Sequence, residues 1–189
     1  MNPNHPPTTI ELASGTLFDL ARPDPALVHL EDIATALAKI CRWNGHCKGH
    51  FSVAEHSVNC ALNAEARGKS QHIIQLALLH DAAEAYFGDI TSPVKAALGA
   101  AVKALENPIQ AAILEALSID PPTVEEAAQV KLIDKVMLTT EASLLLPSGG
   151  SWFTVGAPVD EGVTPEDAGW EDAFQIFMGA CLFYGVPLG

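Results

Sequence analysis

Hydrophobic residues recur along most of the chain at the three- and four-residue spacing of amphipathic helices. Near the N-terminus they alternate instead, with a turn at Ser14-Gly15 between two short runs, which predicts a β-hairpin over residues 9–18. We therefore expect one mostly α-helical domain over residues 1–189 with a small N-terminal β-hairpin. Glycine and proline separate the predicted helices, which cover residues 31–41, 52–67, 70–86, 93–98, 101–117, 124–146 and 166–184.

Two segments lack such periodicity. Residues 1–8 read as a flexible lead-in, and residues 147–165, which contain several glycines and prolines, read as a loop or lid. The helix predicted over residues 166–184 is apolar around much of its circumference. That pattern fits either a core helix or the interface of a homo-oligomer.

Composition narrows the range of functions. The 189 residues carry a formal charge of −13, from 23 acidic and 10 basic side chains, so nucleic-acid polymers are not expected partners. No apolar run is long enough to predict a membrane span, and the N-terminus lacks the basic and apolar regions of a signal peptide. We expect a cytoplasmic protein with four reduced cysteines, because Cys41, Cys47, Cys60 and Cys181 form no CxxC pair.

The chemistry is concentrated where the apolar stretch 73–79 runs into His80-Asp81-Ala82-Ala83-Glu84. Buried His and Asp side chains are costly unless they are paired or bind a metal. A continuous helix would place Glu84 one turn beyond His80 on the same face, and Asp89 supplies another carboxylate nearby. A His-Asp pair alone is more often a hydrogen-bonded pair in a core than a ligand pair.

Two further polar residues lie within predicted apolar helices and favour a metal-ligand role over a hydrogen-bonded core pair. His56 lies within the helix predicted over 52–67, and Asp134 lies within the helix predicted over 124–146. Imidazole and carboxylate ligands together suit Mn²⁺, Co²⁺, Fe²⁺ or Zn²⁺, and such an ion can activate water against a phosphate ester. The pattern predicts one divalent transition-metal ion per chain.

The order of these residues resembles that of the HD-domain phosphohydrolases, and the resemblance covers residues 18–138. The stretch from His80 through Gly88-Asp89 to Lys95 is similar to bacterial 5′-deoxynucleotidases. Residues 40–46 and 50–57 are closer to the HD hydrolases of phages and prophages, which include dATP triphosphohydrolases. The resemblance implies the HD-domain helical fold and the metal ligands His56, His80, Asp81 and Asp134.

The resemblance also implies roles for residues around the metal. Glu84 matches the carboxylate that orients or deprotonates the attacking water, and Asp89 matches an acid–base group beside the leaving oxygen. Arg42 and Trp43 match a pair that contacts the nucleotide and its sugar, while Lys95 matches a basic position in the same motif. From chemistry alone, the candidate phosphate donors are Arg42, His46, Lys48 and Lys95.

Several alternatives remain open at this point. The substrate could be a nucleoside 5′-monophosphate or a 5′-triphosphate, and small Asn44 and Gly45 leave base selectivity undecided. Trp43 could stack on a base or pack at a helix end. The chain could instead be a non-catalytic metal- or nucleotide-binding sensor, or a hydrolase of cyclic or signalling nucleotides. A further alternative is a zinc knuckle with the ligands Cys41, His46, Cys47 and His50. The spacing of these residues lacks the paired pattern of structural zinc sites.

Overall fold

The computed structural model describes residues 5–152 and 169–187. The prediction of a mostly helical chain with an N-terminal hairpin is confirmed. The first four residues of the predicted lead-in and most of the predicted loop or lid, from residue 153 to 165, lie outside the described residues. Two short 3₁₀ turns, Pro25–Leu27 and Arg42–Gly45, accompany helices α1 (Leu30–Lys39), α2 (Val53–Ala66), α3 (Gln71–Leu79), α4 (Glu84–Phe87), α5 (Ser92–Leu98), α6 (Ala100–Ala116), α7 (Val124–Leu145) and α8 (Trp170–Phe183).

The hairpin consists of antiparallel strands β1 (Thr9–Glu11) and β2 (Leu17–Asp19). Phe18 is fully buried, and its ring centroid lies 4.5 Å from that of Tyr86. At the turn, the backbone N–H and the hydroxyl of Ser14 both donate to the Asp32 carboxylate of α1 at 2.7 Å. These contacts attach the hairpin to the helical part of the molecule.

Helix α2 lies at the centre of the helical packing and contacts α1, α3, α7 and α8. It begins with a capping box, in which Ser52 and Glu55 bond each other's backbone N–H groups. Ten of its residues are buried, including His56 and Cys60. An imidazole on this helix therefore sits deep in the fold, where it needs compensation for lost hydration.

The prediction of one continuous helix over residues 70–86 is wrong in its middle. Helix α3 ends at Leu79, residues 80–83 form tight turns, and α4 begins at Glu84. The amide of Gln110, from α6, donates to the Leu79 carbonyl at 2.8 Å and accepts from the Ala83 N–H at 3.2 Å. The Ala82 N–H also bonds Leu79, three residues back, so the chain tightens where a continuous helix was expected.

The C-terminal helix is shorter in the described residues than the prediction of 166–184, because α8 begins at Trp170 and residues 166–168 are not described. One face of α8 packs on the core through Phe177 and Cys181, while Ile176 and Phe183 are exposed. The homo-oligomer interface stays a prediction. No helix among the described residues has the length and apolarity required to span a membrane.

Candidate metal centre

The rings of two histidines are each held in one orientation by a hydrogen bond at Nδ1. In α2, Nδ1 of fully buried His56 lies 2.7 Å from Oε1 of Glu141. In the turn after α3, Nδ1 of His80 lies 2.8 Å from the Ala77 carbonyl oxygen. Both partners are acceptors, so we assign the Nδ1 protons to these bonds. In its neutral form, which metal binding requires, each ring then presents the lone pair of Nε2 on its other side.

The two Nε2 atoms face one another across 3.4 Å. Asp81 Oδ2 lies 3.2 Å from Nε2 of His80 and 3.7 Å from Nε2 of His56. Asp134 Oδ1 lies 3.4 Å from Nε2 of His56 and 3.9 Å from Nε2 of His80. The structure thus brings together all four residues predicted as metal ligands. Four acceptor atoms at these separations suit a shared cation with ligand bonds of about 2.0–2.2 Å.

A thiol that sequence reasoning did not assign joins this cluster. Cys60 is one helical turn after His56, and its Sγ lies 3.6 Å from His56 Nε2. Donor atoms of His56, Cys60 and His80 all lie within 4.8 Å of one another, and these three residues could hold a metal ion. The i, i+4 spacing of His56 and Cys60 on an apolar helix was the available signal.

The charges of the side chains in this cluster suit a site that attracts positive charge. Burial opposes a proton on His80, but Asp81 and Asp134 outweigh that effect and raise its pKa to about 10. Burial likewise opposes ionisation of Asp81, yet His80, His56 and Arg42 hold the pKa of this carboxyl well below its usual range. Protons balance the carboxylates when no cation is bound, and metal binding displaces such protons.

Glu141 is a second residue of the candidate centre that the sequence analysis did not name. Its side chain is fully buried on α7, and its Oε2 lies 3.2 Å from Nε of Arg42. Arg42 also reaches Asp81, with Nη1 3.7 Å from Oδ2. Although burial opposes charge on Arg42, Glu141 and Asp81 raise the pKa of its guanidinium above the ordinary value. An acidic residue seven positions after Asp134 lies near the same helix face, which was the sequence signal.

The cluster opens into a cavity of about 720 Å³. That volume is within the range of about 300–1,000 Å³ typical of small-molecule sites. Two of the predicted metal ligands, Asp81 and Asp134, reach its wall. The predicted catalytic and substrate-binding residues all line it, namely Arg42, Trp43, His46, Glu84, Asp89 and Lys95. Lys48, a further predicted phosphate donor, is not part of this lining.

The two predicted catalytic carboxylates are partly desolvated. Burial and the charges of Asp81 and Asp89 raise the pKa of Glu84 to about 8, even though Lys95 Nζ lies 3.2 Å from its Oε1. Its other oxygen, Oε2, is buried and has no hydrogen-bond partner among the described residues. Burial also raises the pKa of Asp89, an effect that Arg42 and Lys95 oppose. Glu84 can therefore exchange a proton close to neutral pH, and Asp89 holds its proton to a higher pH than an exposed aspartate does.

The loop that carries Arg42 has an unusual backbone. Trp43 and Asn44 both adopt left-handed conformations, with φ of 58° and 51°. Non-glycine residues in this region carry a conformational cost of order 1–3 kcal/mol, and such residues cluster at binding sites. Here the strained pair presents Trp43 and Asn44 to the cavity.

The zinc-knuckle alternative gains no support. Sγ of Cys41 lies 3.7 Å from Sγ of Cys47, and Cys47 also contacts the carbonyl oxygens of Arg42 and Gly49. Among the described residues, the donor atoms of His56, Cys60 and His80 lie within 4.8 Å of one another. Residues 41–50 do not contribute to it.

Comparison with known proteins agrees with this geometry. The chain is 36% identical over 173 residues to the uncharacterised protein YfdR of Escherichia coli strain K12, covering 89% of this chain and 91% of YfdR. It is 42% identical over 106 residues to an uncharacterised protein of Rhodobacter capsulatus, covering 54% of each chain. Residues 40–139, which include the whole histidine and aspartate cluster, match the HD domain. The chain therefore belongs to the HD-domain family of metal-dependent phosphohydrolases.

Proposed function

We propose that the protein hydrolyses the phosphate ester of (deoxy)nucleoside 5′-monophosphates and releases nucleoside and inorganic phosphate. The observation that carries this proposal is the placement of the acceptor cluster at one wall of a cavity that also contains Glu84, Asp89, Arg42 and Lys95. We propose His56, His80, Asp81 and Asp134 as the ligands of a divalent transition metal. When bound, such a cation supplies Lewis acidity toward phosphate and toward a water nucleophile.

Glu84 is suited to orient and deprotonate that water. Lys95 fixes Oε1, whereas Oε2 has no hydrogen-bond partner among the described residues and remains available to accept a proton. A side chain whose pKa is near the working pH is an effective proton acceptor. Positive charge from a bound cation would lower this pKa further and favour the carboxylate form.

Asp89 is suited to donate a proton to the leaving group. The 5′-oxygen of a nucleoside is a poor leaving group as an alkoxide, so cleavage needs a proton donor. The raised pKa of Asp89 keeps more of its side chain protonated than an exposed aspartate would be. It lines the same cavity as Glu84, so one carboxyl can accept a proton while the other donates one.

Charge favours a monophosphate over a triphosphate. All ten Lys and Arg residues lie within the described ranges, and only Arg42 and Lys95 line the cavity. Arg42 is paired with Glu141 and Asp81, and Lys95 is paired with Glu84 and Glu106. Two additional phosphate groups would bring more negative charge next to four carboxylates without further basic partners from this chain.

The other walls of the cavity suit a nucleoside. Trp43 and Trp152 are aromatic, and Leu138, Leu146 and Pro147 add apolar surface. Stacking of a base on an aromatic side chain contributes about 1–3 kcal/mol. A nucleoside therefore fits this side of the cavity better than a small polar alcohol.

The test is phosphate release from a panel of nucleoside and deoxynucleoside mono- and triphosphates with Mn²⁺, Co²⁺ or Zn²⁺. We expect turnover of monophosphates and its loss, by about 10²-fold or more, in Glu84→Gln. The matched variant is Glu106→Gln, which removes the other carboxylate beside Lys95 but does not line the cavity, and it should lose much less. Release of triphosphate alone would contradict the choice of substrate. Metal and nucleotide binding without any turnover would identify a sensor instead, and two ions per chain would favour a signalling-nucleotide hydrolase.

A further inference from the structure

Cys60 occupies a position that the proposed four-ligand site does not explain. Its side chain is 1% exposed, and it projects from α2 on the same face as His56. The sulfur lies 3.6 Å from His56 Nε2, the nitrogen proposed to bind metal, rather than against apolar neighbours alone. It shares a 4.8 Å cluster with the ligand nitrogens of His56 and His80.

The separations match those of atoms bound to one ion. Metal–nitrogen bonds of about 2.0–2.1 Å and metal–sulfur bonds of about 2.3 Å, at ligand angles of about 90–110°, place nitrogen and sulfur roughly 3.1–3.6 Å apart and two nitrogens roughly 2.9–3.4 Å apart. The Sγ–Nε2 distance between Cys60 and His56 is 3.6 Å, and the Nε2–Nε2 distance between His56 and His80 is 3.4 Å. One cation can therefore bridge Cys60 and His56 on α2, and the donor atom of His80 lies within the same 4.8 Å cluster.

Resting on the metal site of the proposed function, we infer that Cys60 is an additional metal ligand that binds as a thiolate. Binding breaks the S–H bond, forms a metal–sulfur bond and releases the proton to solvent. A thiolate donor biases the site toward thiophilic ions such as Zn²⁺, Co²⁺ and Fe²⁺ and away from Mg²⁺ and Mn²⁺, which prefer oxygen. The metal preference of this site therefore differs from that of a site built only of imidazole and carboxylate ligands.

The direct test is X-ray absorption at the metal edge of the full chain loaded with Zn²⁺ or Co²⁺. We expect one sulfur scatterer at about 2.3 Å, and for Co²⁺ a thiolate-to-metal charge-transfer band in the near ultraviolet. Cys60→Ser should lose the sulfur scatterer and the band. The matched control is Cys181→Ser, which removes another fully buried thiol from α8, outside the cluster, and should keep both signals.

Metal affinity gives a second readout. Cys60→Ser should weaken Zn²⁺ binding by about tenfold or more while changing Mn²⁺ binding much less. A wild-type spectrum with only nitrogen and oxygen scatterers would overturn the inference, and this result does not depend on whether any variant folds. Phosphate release measured on the same sample separates the two proposals. Turnover without a sulfur scatterer would overturn only the role of Cys60 as a ligand. A sulfur scatterer without turnover would overturn only the proposed catalytic function.

Discussion

Nδ1 of His56 donates to Oε1 of Glu141 over 2.7 Å, and neither side chain is exposed to solvent. The second oxygen of Glu141 lies 3.2 Å from Arg42, so the carboxylate connects the histidine to the loop that lines the cavity. Outer carboxylates of this kind fix the orientation and tautomer of a metal-binding histidine. Glu141 thus acts on the candidate metal centre through His56 without lining the cavity.

Replacement of Glu141 by Gln should weaken metal binding. The amide can still accept from His56, but it removes the negative charge that strengthens His56 as a ligand and compensates Arg42. We expect affinity for Zn²⁺ or Co²⁺ to fall by about tenfold or more, as measured by competition with a chromogenic chelator. Glu125→Gln, at an exposed position of the same helix, should bind metal like the wild type. Unchanged affinity in Glu141→Gln would show that the carboxylate charge has no part in ligation.

Glu84 should make the metal-free protein less stable as pH rises. Its pKa is about 8 in the folded chain against an ordinary value of 4.5, so between these values the folded state binds more protons than the unfolded state. Stability therefore decreases with increasing pH in that window. Glu84→Gln removes this contribution, so its melting temperature relative to wild type should rise from about pH 5 to about pH 9 in the presence of chelator.

The same series with Glu125→Gln is the control for this pH effect. Its profile should run parallel to that of the wild type because Glu125 is exposed at the start of α7. A shift of about 2–4 °C corresponds to each kcal/mol for a chain of this size. A constant difference between Glu84→Gln and wild type across the series would rule out the raised pKa.

Gln110 should support both stability and metal binding. Its side chain satisfies the Leu79 carbonyl and the Ala83 N–H on either side of His80 and Asp81. Gln110→Ala should cost about 1–3 kcal/mol in the free energy of unfolding, measured by urea denaturation, because the Ala83 N–H loses its side-chain partner and the Leu79 carbonyl keeps only the Ala82 N–H. Metal affinity should fall with it, since the turn positions two proposed ligands.

Gln110→Glu separates these two hydrogen bonds. A carboxylate can still accept from Ala83, but its second oxygen faces the Leu79 carbonyl without a proton to donate, so we expect stability to fall below that of the wild type and to recover at low pH, where the protonated side chain can donate. Gln175→Ala, at an exposed position of α8, should leave unfolding and metal affinity unchanged. If Gln110→Ala lowers stability but binds metal with wild-type affinity, Gln110 is a packing residue only.

The left-handed backbone at Asn44 predicts opposite changes in melting temperature for two substitutions at this position. Glycine adopts φ of 51° without a steric cost, so Asn44→Gly should raise the melting temperature. Asn44→Val should lower it, because a β-branched side chain is strongly disfavoured there. Asn59→Gly, the same substitution within α2, should instead destabilise the protein because it acts inside a helix. Thermal unfolding of the three variants would check this, and a lower melting temperature for Asn44→Gly would be inconsistent with strain at this position.

Most helices could be predicted from the sequence because periodicity is a local pattern, and the fold brings the four predicted ligands close together. Helical periodicity located α2, α3 and α7, and polar residues within those apolar runs identified His56, His80-Asp81 and Asp134. The break after Leu79 could not be predicted, because the Gln110 amide that bonds the backbone on both sides of it is distant in sequence. The same limit applies to the pairing of Glu141 with His56 across 85 positions.

The candidate site joins α2, the turn after α3, and α7. His56 and His80 are separated by 24 positions, whereas the partner that fixes His56 lies 85 positions away. Closing that longer loop carries a larger entropic cost and slows formation of the contact. A nascent chain that has not yet produced α7 therefore contains the His-Asp dipeptide but lacks Asp134 and Glu141, so it has no finished binding site.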